Sequence, residues 1–359
     1  MKNSIMAFIS RYVAENMDWF IQKYSSDSSV LKSFLYDSMS ARKNDEDRKL
    51  ADLLYEQLLK VPEERRKKTA ELLINDVLNY MTNTSKNYFA AVIDVNSNCN
   101  LSCDNCANSM INCSENINWS LEQINAVVEA LKPYTRLIFV SGGEPYMNPN
   151  LIDAIERNPD IEFVTFTNGS MLKQYEKAIE RDLKNLFVMV SIDGNESYHD
   201  YKRGNGIYQN ALNAIKYFRE QGYLCGISSV VEENNIDQLF SEEYISFVRG
   251  IDASALYFLK DAHNGNEEFN QHYIELSDKL QNTLFSTFPV FNMPYCEKTL
   301  SKDKCCFAGR QWFRVNANFE VTTCPFSNQT YGNIQTEKSK ELVKKLKNNE
   351  EPPKSSCWS

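Results

Sequence analysis

Ala90-Ala-Val-Ile-Asp-Val-Asn-Ser-Asn-Cys99-Asn-Leu-Ser-Cys103-Asp-Asn-Cys106 is an apolar run followed at once by three thiols spaced C-x3-C-x2-C. Its first six residues, rich in Val, Ile and Ala, read as a short buried strand. The cysteines then fall on the loop beyond the strand's end. Three thiolates on a short loop can hold three irons of a [4Fe–4S] cluster and leave the fourth iron open to a chelating small molecule. The competing reading is a structural zinc site or a disulfide pair. Structural zinc prefers four closed protein ligands, usually as paired C-x2-C, and no second pair completes this triad.

From Phe89 onward, strand and helix patterns alternate. Strands are expected at 90–95, 136–140, 161–166, 186–191, 224–231 and 253–259. Helices are expected at 119–132, 148–157, 172–183, 207–221, 236–248 and 267–286. Gly and Pro fall in the connections. Strand and helix in strict alternation predict an α/β fold with a parallel sheet, open or partly closed into a barrel.

In parallel barrels the chemistry sits on the loops that follow the C-terminal ends of the strands. Four unusual loops fall there. The cysteine loop follows the first strand, and Ser141-Gly142-Gly143-Glu144-Pro145 follows the second. Thr167-Asn168-Gly169 follows the third, and Ser191-Ile192-Asp193-Gly194 the fourth. Gly142 and Gly143 carry no β-carbon, so backbone can approach a ligand closely there. Glu144 can accept hydrogen bonds from a cationic amine. Arg203, after Tyr198-His199-Asp200, offers a fork for a carboxylate. An amine acceptor, a carboxylate donor and an open iron together describe a site for a bound amino acid.

In this combination the C-x3-C-x2-C loop, Gly-Gly-Glu-Pro, Thr-Asn-Gly and Ser-Ile-Asp-Gly…His-Asp…Arg-Gly resemble the radical S-adenosylmethionine (SAM) enzymes, over residues 89 to about 260. The resemblance implies a partial (β/α)6 barrel. It implies that Cys99, Cys103 and Cys106 hold a [4Fe–4S] cluster whose free iron is chelated by SAM. By the same resemblance Ser141, Gly142, Gly143, Glu144, Thr167, Asn168, Ser191, Asp193 and Arg203 form the cofactor-binding set. Glu144 would take the SAM amine, Ser191 the ribose or methionine part, and Arg203 the carboxylate. Reductive cleavage of SAM would yield a 5′-deoxyadenosyl radical that abstracts a substrate hydrogen, with the electron coming from an external flavodoxin- or ferredoxin-type donor. Where the family usually has an aromatic residue or histidine before the last cysteine, this chain has Asn105.

Beyond the barrel come Cys296, Cys305, Cys306, Cys324 and Cys357. Between Cys306 and Cys324 a β-hairpin is expected, with strands at Arg314-Val315 and Glu320-Val-Thr-Thr323 and a turn at Asn316 to Asn318. This segment resembles the auxiliary-cluster extensions of the same superfamily, the SPASM and twitch domains. The full SPASM run C-x2-C-x5-C-x3-C is missing, so the likeness is to the shorter twitch type, with one further cluster. Cys306, Cys324 and Cys357 are its expected ligands, with Cys305 or Cys296 as the fourth. Cys113 and Cys225 read as buried small hydrophobes. The sharper alternative makes a spare thiol such as Cys225, Cys296 or Cys305 a hydrogen-atom donor to a substrate radical.

Residues 1–87 read as helices. Ile5, Phe8, Ile9, Tyr12, Val13, Met17, Phe20, Ile21 and Tyr24 recur at three- and four-residue steps. Leu50, Leu53, Leu54, Leu58 and Leu59 repeat the pattern until Pro62 stops it, and Ala70, Leu73, Val77 and Met81 make another face. Thr82 to Asn87 reads as a linker. The expected organisation is a helical region at 1–87, the barrel at 88–290 and the auxiliary-cluster domain at 291–359.

The net charge of −9 argues against a nucleic-acid or anionic-membrane partner. The N-terminal apolar run is too short for a signal peptide, and no stretch is long enough to span a bilayer. Ten cysteines without a secretory signal point to a reducing, cytoplasmic location where thiols bind metal. The function expected is modification of a ribosomally made peptide by a crosslink, a thioether or epimerisation. Dehydrogenation or epimerisation of a small molecule such as an aminocyclitol or sugar stays open. So does a non-catalytic protein with structural metal sites.

Overall fold

The computed structural model describes residues 12–13, 15–16, 52–53, 55–71, 88, 90–103, 106, 116–261, 266–281, 288–292, 309, 312–323 and 329–348. Asn105, Cys113, Cys296, Cys305, Cys306, Cys324 and Cys357 lie outside these residues, as do the expected linker at Thr82 to Asn87 and most of the helical pattern before residue 52.

A strand ending at each expected loop is followed by a helix. β1 (Ala90–Asp94) leads to α1 (Leu121–Leu131), β2 (Leu137–Ser141) to α2 (Leu151–Arg157), and β3 (Glu162–Thr167) to α3 (Leu172–Glu180). β4 (Leu186–Ser191) is followed by α4 (Glu196–Arg203) and α5 (Ile207–Glu220). β5 (Cys225–Val231) is followed by α6 (Ile236–Leu239) and α7 (Glu242–Gly250). β6 (Leu256–Lys260), α8 (Glu267–Gln281) and β7 (Val290–Asn292) come next, then β8 (Trp312–Val315), β9 (Glu320–Thr322), β10 (Thr330–Asn333) and α9 (Ser339–Asn348).

Local chemistry explains why these elements start where they do. Ser120 caps α1 by accepting from the Gln123 amide, while the Gln123 side chain accepts from the Ser120 amide, a capping box that holds two orphan donors. Ile124, Val127, Val128 and Leu131 then form the one buried stripe of that helix. Asn195 and Ser241 cap α4 and α7 by accepting from the Tyr198 and Tyr244 amides.

The strands make one sheet in the order β10-β9-β8-β1-β2-β3-β4-β5-β6-β7. β1 to β7 run parallel, and β8 also lies parallel to β1, with Val92 beside Arg314. β8, β9 and β10 then form an antiparallel meander. The expected hairpin is present, with Val315 opposite Val321 and Phe319 in a left-handed conformation at the turn. Its attachment was not foreseen. β8 extends the barrel sheet itself, and the expected boundary at residue 290 falls at β7, within that sheet. A buried ion pair, Arg314 Nε to Asp94 Oδ2 at 2.6 Å, ties β8 to β1. Trp119 Nε1 donates to the Ala317 carbonyl at 2.8 Å, and its ring stacks on Phe319.

Side chains alternate between two faces. Ala91, Ile93, Ile138, Val140, Val188, Val190 and Ile227 belong to a large core against the helices. Ala90, Val92, Leu137, Val164, Met189 and Trp312 form a second cluster, with Phe139, Phe166, Phe187 and Tyr257 packed on it. Phe166 on β3 and Tyr257 on β6 have ring centroids 5.6 Å apart although two strands separate them. Across a flat sheet three inter-strand steps span about 14 Å. The sheet is therefore curled, with the second cluster on its concave side. Its end strands β7 and β10 do not pair, so among the described residues the fold is an open partial barrel.

The described part of residues 1–87 is helical, with a break at 60–62 around Pro62 as expected. Leu58 is buried but Leu59 is exposed, because neighbouring residues cannot share one helix face. Arg65 lays its guanidinium 3.5 Å over the Tyr223 ring and donates to Asp182 and to the Leu183 carbonyl. Leu183 and Tyr223 precede β4 and β5, so this helical stretch packs against the barrel's N-terminal end, opposite the cysteine loop. Among the described residues no helix is long and apolar enough to cross a membrane.

Candidate functional site

β1, β2, β3 and β4 are parallel neighbours, so the four loops that follow them emerge side by side at one end of the sheet. The first two are interlocked through backbone. The Gly143 amide donates to the Asn96 carbonyl at 3.2 Å and the Glu144 amide to the Asn98 carbonyl at 2.7 Å. Asn96 Nδ2 returns a bond to the Glu144 carbonyl at 2.8 Å. A β-carbon on Gly143 would sit 2.0 Å from the Asn98 oxygen, and one on Gly142 would sit 2.5 Å from the Asn96 carbonyl oxygen. The close approach that the glycine pair permits is therefore to the cysteine loop's own backbone.

Glu144 is 1% exposed and holds the second loop to the third. Its Oε1 accepts from Thr167 Oγ1 at 2.7 Å and from the Tyr146 amide at 3.2 Å, and its Oε2 from the Asn168 amide at 2.8 Å. A carboxylate has about four acceptor sites, so one remains on Oε2. Burial pushes its pKa up to about 7, against the pull of the Asn168, Thr167 and Tyr146 bonds. Asn168 passes the connection on. Its Nδ2 donates to Asn100 Oδ1 at 2.9 Å, and Asn100 Nδ2 donates to Ser170 Oγ at 2.8 Å. Asn100 lies between Cys99 and Cys103, so the third loop also grips the cysteine loop.

The fourth loop carries a buried charge cluster. Asp193 Oδ1 accepts from the Val230 amide at 2.8 Å and Oδ2 from Arg203 Nε at 2.7 Å, with Lys202 Nζ at 3.5 Å. Burial pushes Asp193 up, but Arg203 and Lys202 outweigh it and hold its carboxyl at about 2. Both of its oxygens thus serve the protein, and its place is to aim Arg203. The terminal nitrogens of Arg203 make no hydrogen bond among the described residues, and their charge acts on Cys103. Lys202 is also bound by Glu232 Oε2 at 2.7 Å, which takes the Tyr198 hydroxyl as well. The Asp193 amide donates to His199 Nδ1 at 3.1 Å, which places the ring hydrogen on Nε2, and burial pushes that imidazole down to about 4.

Cys99, Cys103 and Cys106 lie on one loop, not joined by disulfides and close enough to act on each other electrostatically. Burial pushes Cys99 and Cys103 up; the Leu101 amide opposes it at Cys99 and Arg203 at Cys103. Among the described residues no His, Cys, Asp or Glu group converges on a single ion. The donor set suits a cluster, in which each thiolate takes a different iron. Ser141 and Ser191 end β2 and β4 on the concave side, both partly exposed. Cys225 is elsewhere. It starts β5, about 20 Å of strand from that strand's C-terminal end, and is fully buried in the helix-side core.

Lys202, Glu232, Asn96 and Asn100 are parts of this site that the motifs did not single out. The one signal for the asparagines was their density, since Asn96, Asn98 and Asn100 surround Cys99. Glu232 and Lys202 gave none, being ordinary charges in sequence.

A family model described as the radical SAM superfamily matches residues 93–239, and this segment is a radical SAM domain. A probable GTP 3′,8-cyclase of Archaeoglobus fulgidus is 31% identical over 167 residues, covering 44% of this chain. The chain covers 55% of that relative's length. Among solved structures, Streptococcus suis SuiB bound to the precursor peptide SuiA aligns with 82% of this chain and 71% of its own, with a TM-score of 0.58 at 14% identity. The enzyme anSMEcpe with bound AdoMet aligns with 71% of this chain and 79% of its own, with a TM-score of 0.53 at 19% identity. Both likenesses are of fold.

Proposed function

We propose that the chain is a radical SAM enzyme that modifies a peptide. The observation that carries this reading is the convergence on one rim of the three loop cysteines, the remaining acceptor site of Glu144 and the Arg203 guanidinium that Asp193 aims. When bound and reduced, a [4Fe–4S] cluster supplies the electron that cleaves SAM to methionine and a 5′-deoxyadenosyl radical. The chain's own residues do the holding. Cys99, Cys103 and Cys106 would ligate the cluster, and Glu144 would take the amine of SAM. Arg203, aimed by Asp193, would take its carboxylate with two parallel bonds. Ser191, whose hydroxyl faces the concave side, is placed for the ribose or methionine part.

The peptide substrate is supported by the fold shared with SuiB, whose structure holds a precursor peptide. Cys305 or Cys296, with Cys306, Cys324 and Cys357, is proposed to hold a second cluster. The hairpin between Cys306 and Cys324 pairs directly with β1, the strand that carries the first cysteine loop. A flavodoxin- or ferredoxin-type donor and a cytoplasmic location complete the reading.

Anaerobic reconstitution, reduction and incubation with SAM and a peptide encoded beside the gene test it. The expected result is 5′-deoxyadenosine together with a changed peptide mass, and about eight irons per chain. Unchanged peptide with turnover on a sugar or nucleotide would replace the peptide reading. About four irons would remove the second cluster.

A further inference from the structure

The last helix carries a charge pattern that no role given above uses. Leu342, Val343 and Leu346 of α9 are buried and join the large core. Lys340, Lys344 and Lys347 stand at i, i+4 and i+7, so they form one exposed stripe about 10 Å long. Lys338 and Lys345 are exposed beside it. Lys345 is held by Glu337 at 2.5 Å, whereas Lys338, Lys340 and Lys344 have no carboxylate partner among the described residues. Other lysines of the surface differ: Lys60, Lys67, Lys132, Lys177, Lys184 and Lys216 each pair with a carboxylate. Five lysines against two glutamates, Glu337 and Glu341, make residues 337–348 a basic patch on a chain whose net charge is −9.

The patch has a definite place. Lys347 Nζ lies 5.3 Å from the centroid of the Tyr88 ring, and the Tyr88 hydroxyl donates to the Gly309 carbonyl at 3.1 Å. A β-carbon on Gly309 would sit 2.8 Å from Thr323 Cγ2. Gly309 comes three residues after Cys306, and Thr323 directly precedes Cys324. The C-terminal end of α9 therefore adjoins residues that flank two of the ligands proposed for the second cluster.

We propose that the lysine face of α9 docks an acidic one-electron carrier protein, a flavodoxin or ferredoxin with carboxylates around its redox group. The inference rests on the reading above that the electron comes from outside, and it names where the donor lands. The carrier is oxidised by one electron. That electron is the one spent on breaking a carbon–sulfur bond of SAM, giving methionine and the 5′-deoxyadenosyl radical. Charge and shape select this occupant. An acidic carrier is repelled by the acidic remainder of the chain and steered to the place where unpaired lysines gather. A single convex helix face makes a small, polar contact, which suits a short-lived electron-transfer encounter. A peptide docks instead in a groove or along a sheet edge.

The test is binding of the reconstituted enzyme to an oxidised acidic flavodoxin and to an oxidised acidic [2Fe–2S] ferredoxin, read by calorimetry without turnover. At least one carrier is expected to bind saturably at low salt. Its affinity is expected to fall about tenfold or more between about 0.01 M and about 1 M ionic strength. Replacing Lys338, Lys340 and Lys344 together by Gln is expected to weaken it about tenfold at low salt. Replacing Lys60, Lys67 and Lys216 by Gln removes the same charge elsewhere and is expected to change it by less than about twofold. SAM cleavage with photoreduced deazariboflavin, an uncharged small reductant, is expected to be equal in both variants, while cleavage with limiting reduced carrier falls only in the α9 variant. Failure of both carriers to bind, salt-independent binding, or equal weakening in the two variants would overturn the inference. Carrier binding that follows the α9 lysines, with no 5′-deoxyadenosine from either reductant, would overturn the proposed function and leave this docking face standing.

Discussion

Replacing Gly143 by Ala is expected to dislodge the cysteine loop. A β-carbon at Gly143 would stand 2.0 Å from the Asn98 oxygen, 2.3 Å from the Asn98 carbonyl carbon and 2.8 Å from the Cys99 nitrogen. All three atoms are backbone, so no side chain can turn aside, and the loop must move by about 1 Å to reach ordinary contact. That movement breaks the Glu144 amide bond to Asn98 and strains the Gly143 amide bond to Asn96. Two hydrogen bonds at about 1 kcal/mol each and overpacking at 1 kcal/mol or more sum to about 3 kcal/mol. This corresponds to roughly a hundredfold fall in the population of the intact loop. Gly250→Ala is the matched control, because a β-carbon there meets nothing within 4 Å. Iron per chain after anaerobic reconstitution and 5′-deoxyadenosine formed per hour are the readouts. Gly143→Ala should lose most of both while Gly250→Ala keeps them. A Gly143→Ala enzyme with full iron content and full SAM cleavage would refute the backbone-interlock explanation.

Three further outcomes are expected. Glu162 is buried on the concave side of β3, where its Oε2 has no hydrogen-bond partner among the described residues, and burial pushes it up to about 8. Folding therefore retains a proton there that the unfolded chain releases near 4.5, and stability falls as pH rises between these values, by up to about 5 kcal/mol. Glu162→Gln should match the parent in melting temperature below pH 4.5 and exceed it at pH 9; superimposable pH profiles would contradict this. Asp193→Asn leaves the buried Arg203 short of its counter-charge and should cost about 3 kcal/mol in urea unfolding at pH 7. Asp193 is held at about 2, so that stability is present above its usual value and vanishes as pH falls through 2; a difference that persists there would speak against the ion pair. Trp119→Phe keeps the stack on Phe319 but loses the bond to Ala317, and should cost about 1 kcal/mol and speed amide exchange across 312–322. Unchanged exchange there would detach the hairpin from this anchor.

The parallel sheet was legible because each strand is a short Val- and Ile-rich run ended by a polar loop with Gly, and the helices between them carry one apolar stripe. β1 to β6 were placed to within about three residues. The place of β8 could not be read. Trp312-Phe-Arg-Val315 alternates as a hairpin strand, and nothing in it says that one edge pairs with β1 some 220 residues earlier. The charged pair that makes this docking specific, Asp94 and Arg314, reads in sequence as two unrelated ionisable residues. At the site, the thiols, Glu144, Asp193 and Arg203 stood out through spacing and loop position. The division of labour among them did not. That Glu144 and Asp193 spend most of their acceptors on neighbouring loops is a property of the folded loops. The rings packed on the concave cluster were hidden for another reason. Leu256-Tyr-Phe-Leu-Lys260 is apolar on both faces, as buried parallel strands are, so alternation could not separate Tyr257 from Phe258.

The central claim is that Cys99, Cys103 and Cys106 together hold a cluster that cleaves SAM. Its most direct test is 5′-deoxyadenosine production by the reduced, anaerobically reconstituted chain beside the variant with all three cysteines replaced by Ala. The account predicts steady formation by the parent and none by the variant, while the variant keeps its folded far-ultraviolet circular dichroism. Persistent 5′-deoxyadenosine in the folded variant would contradict it.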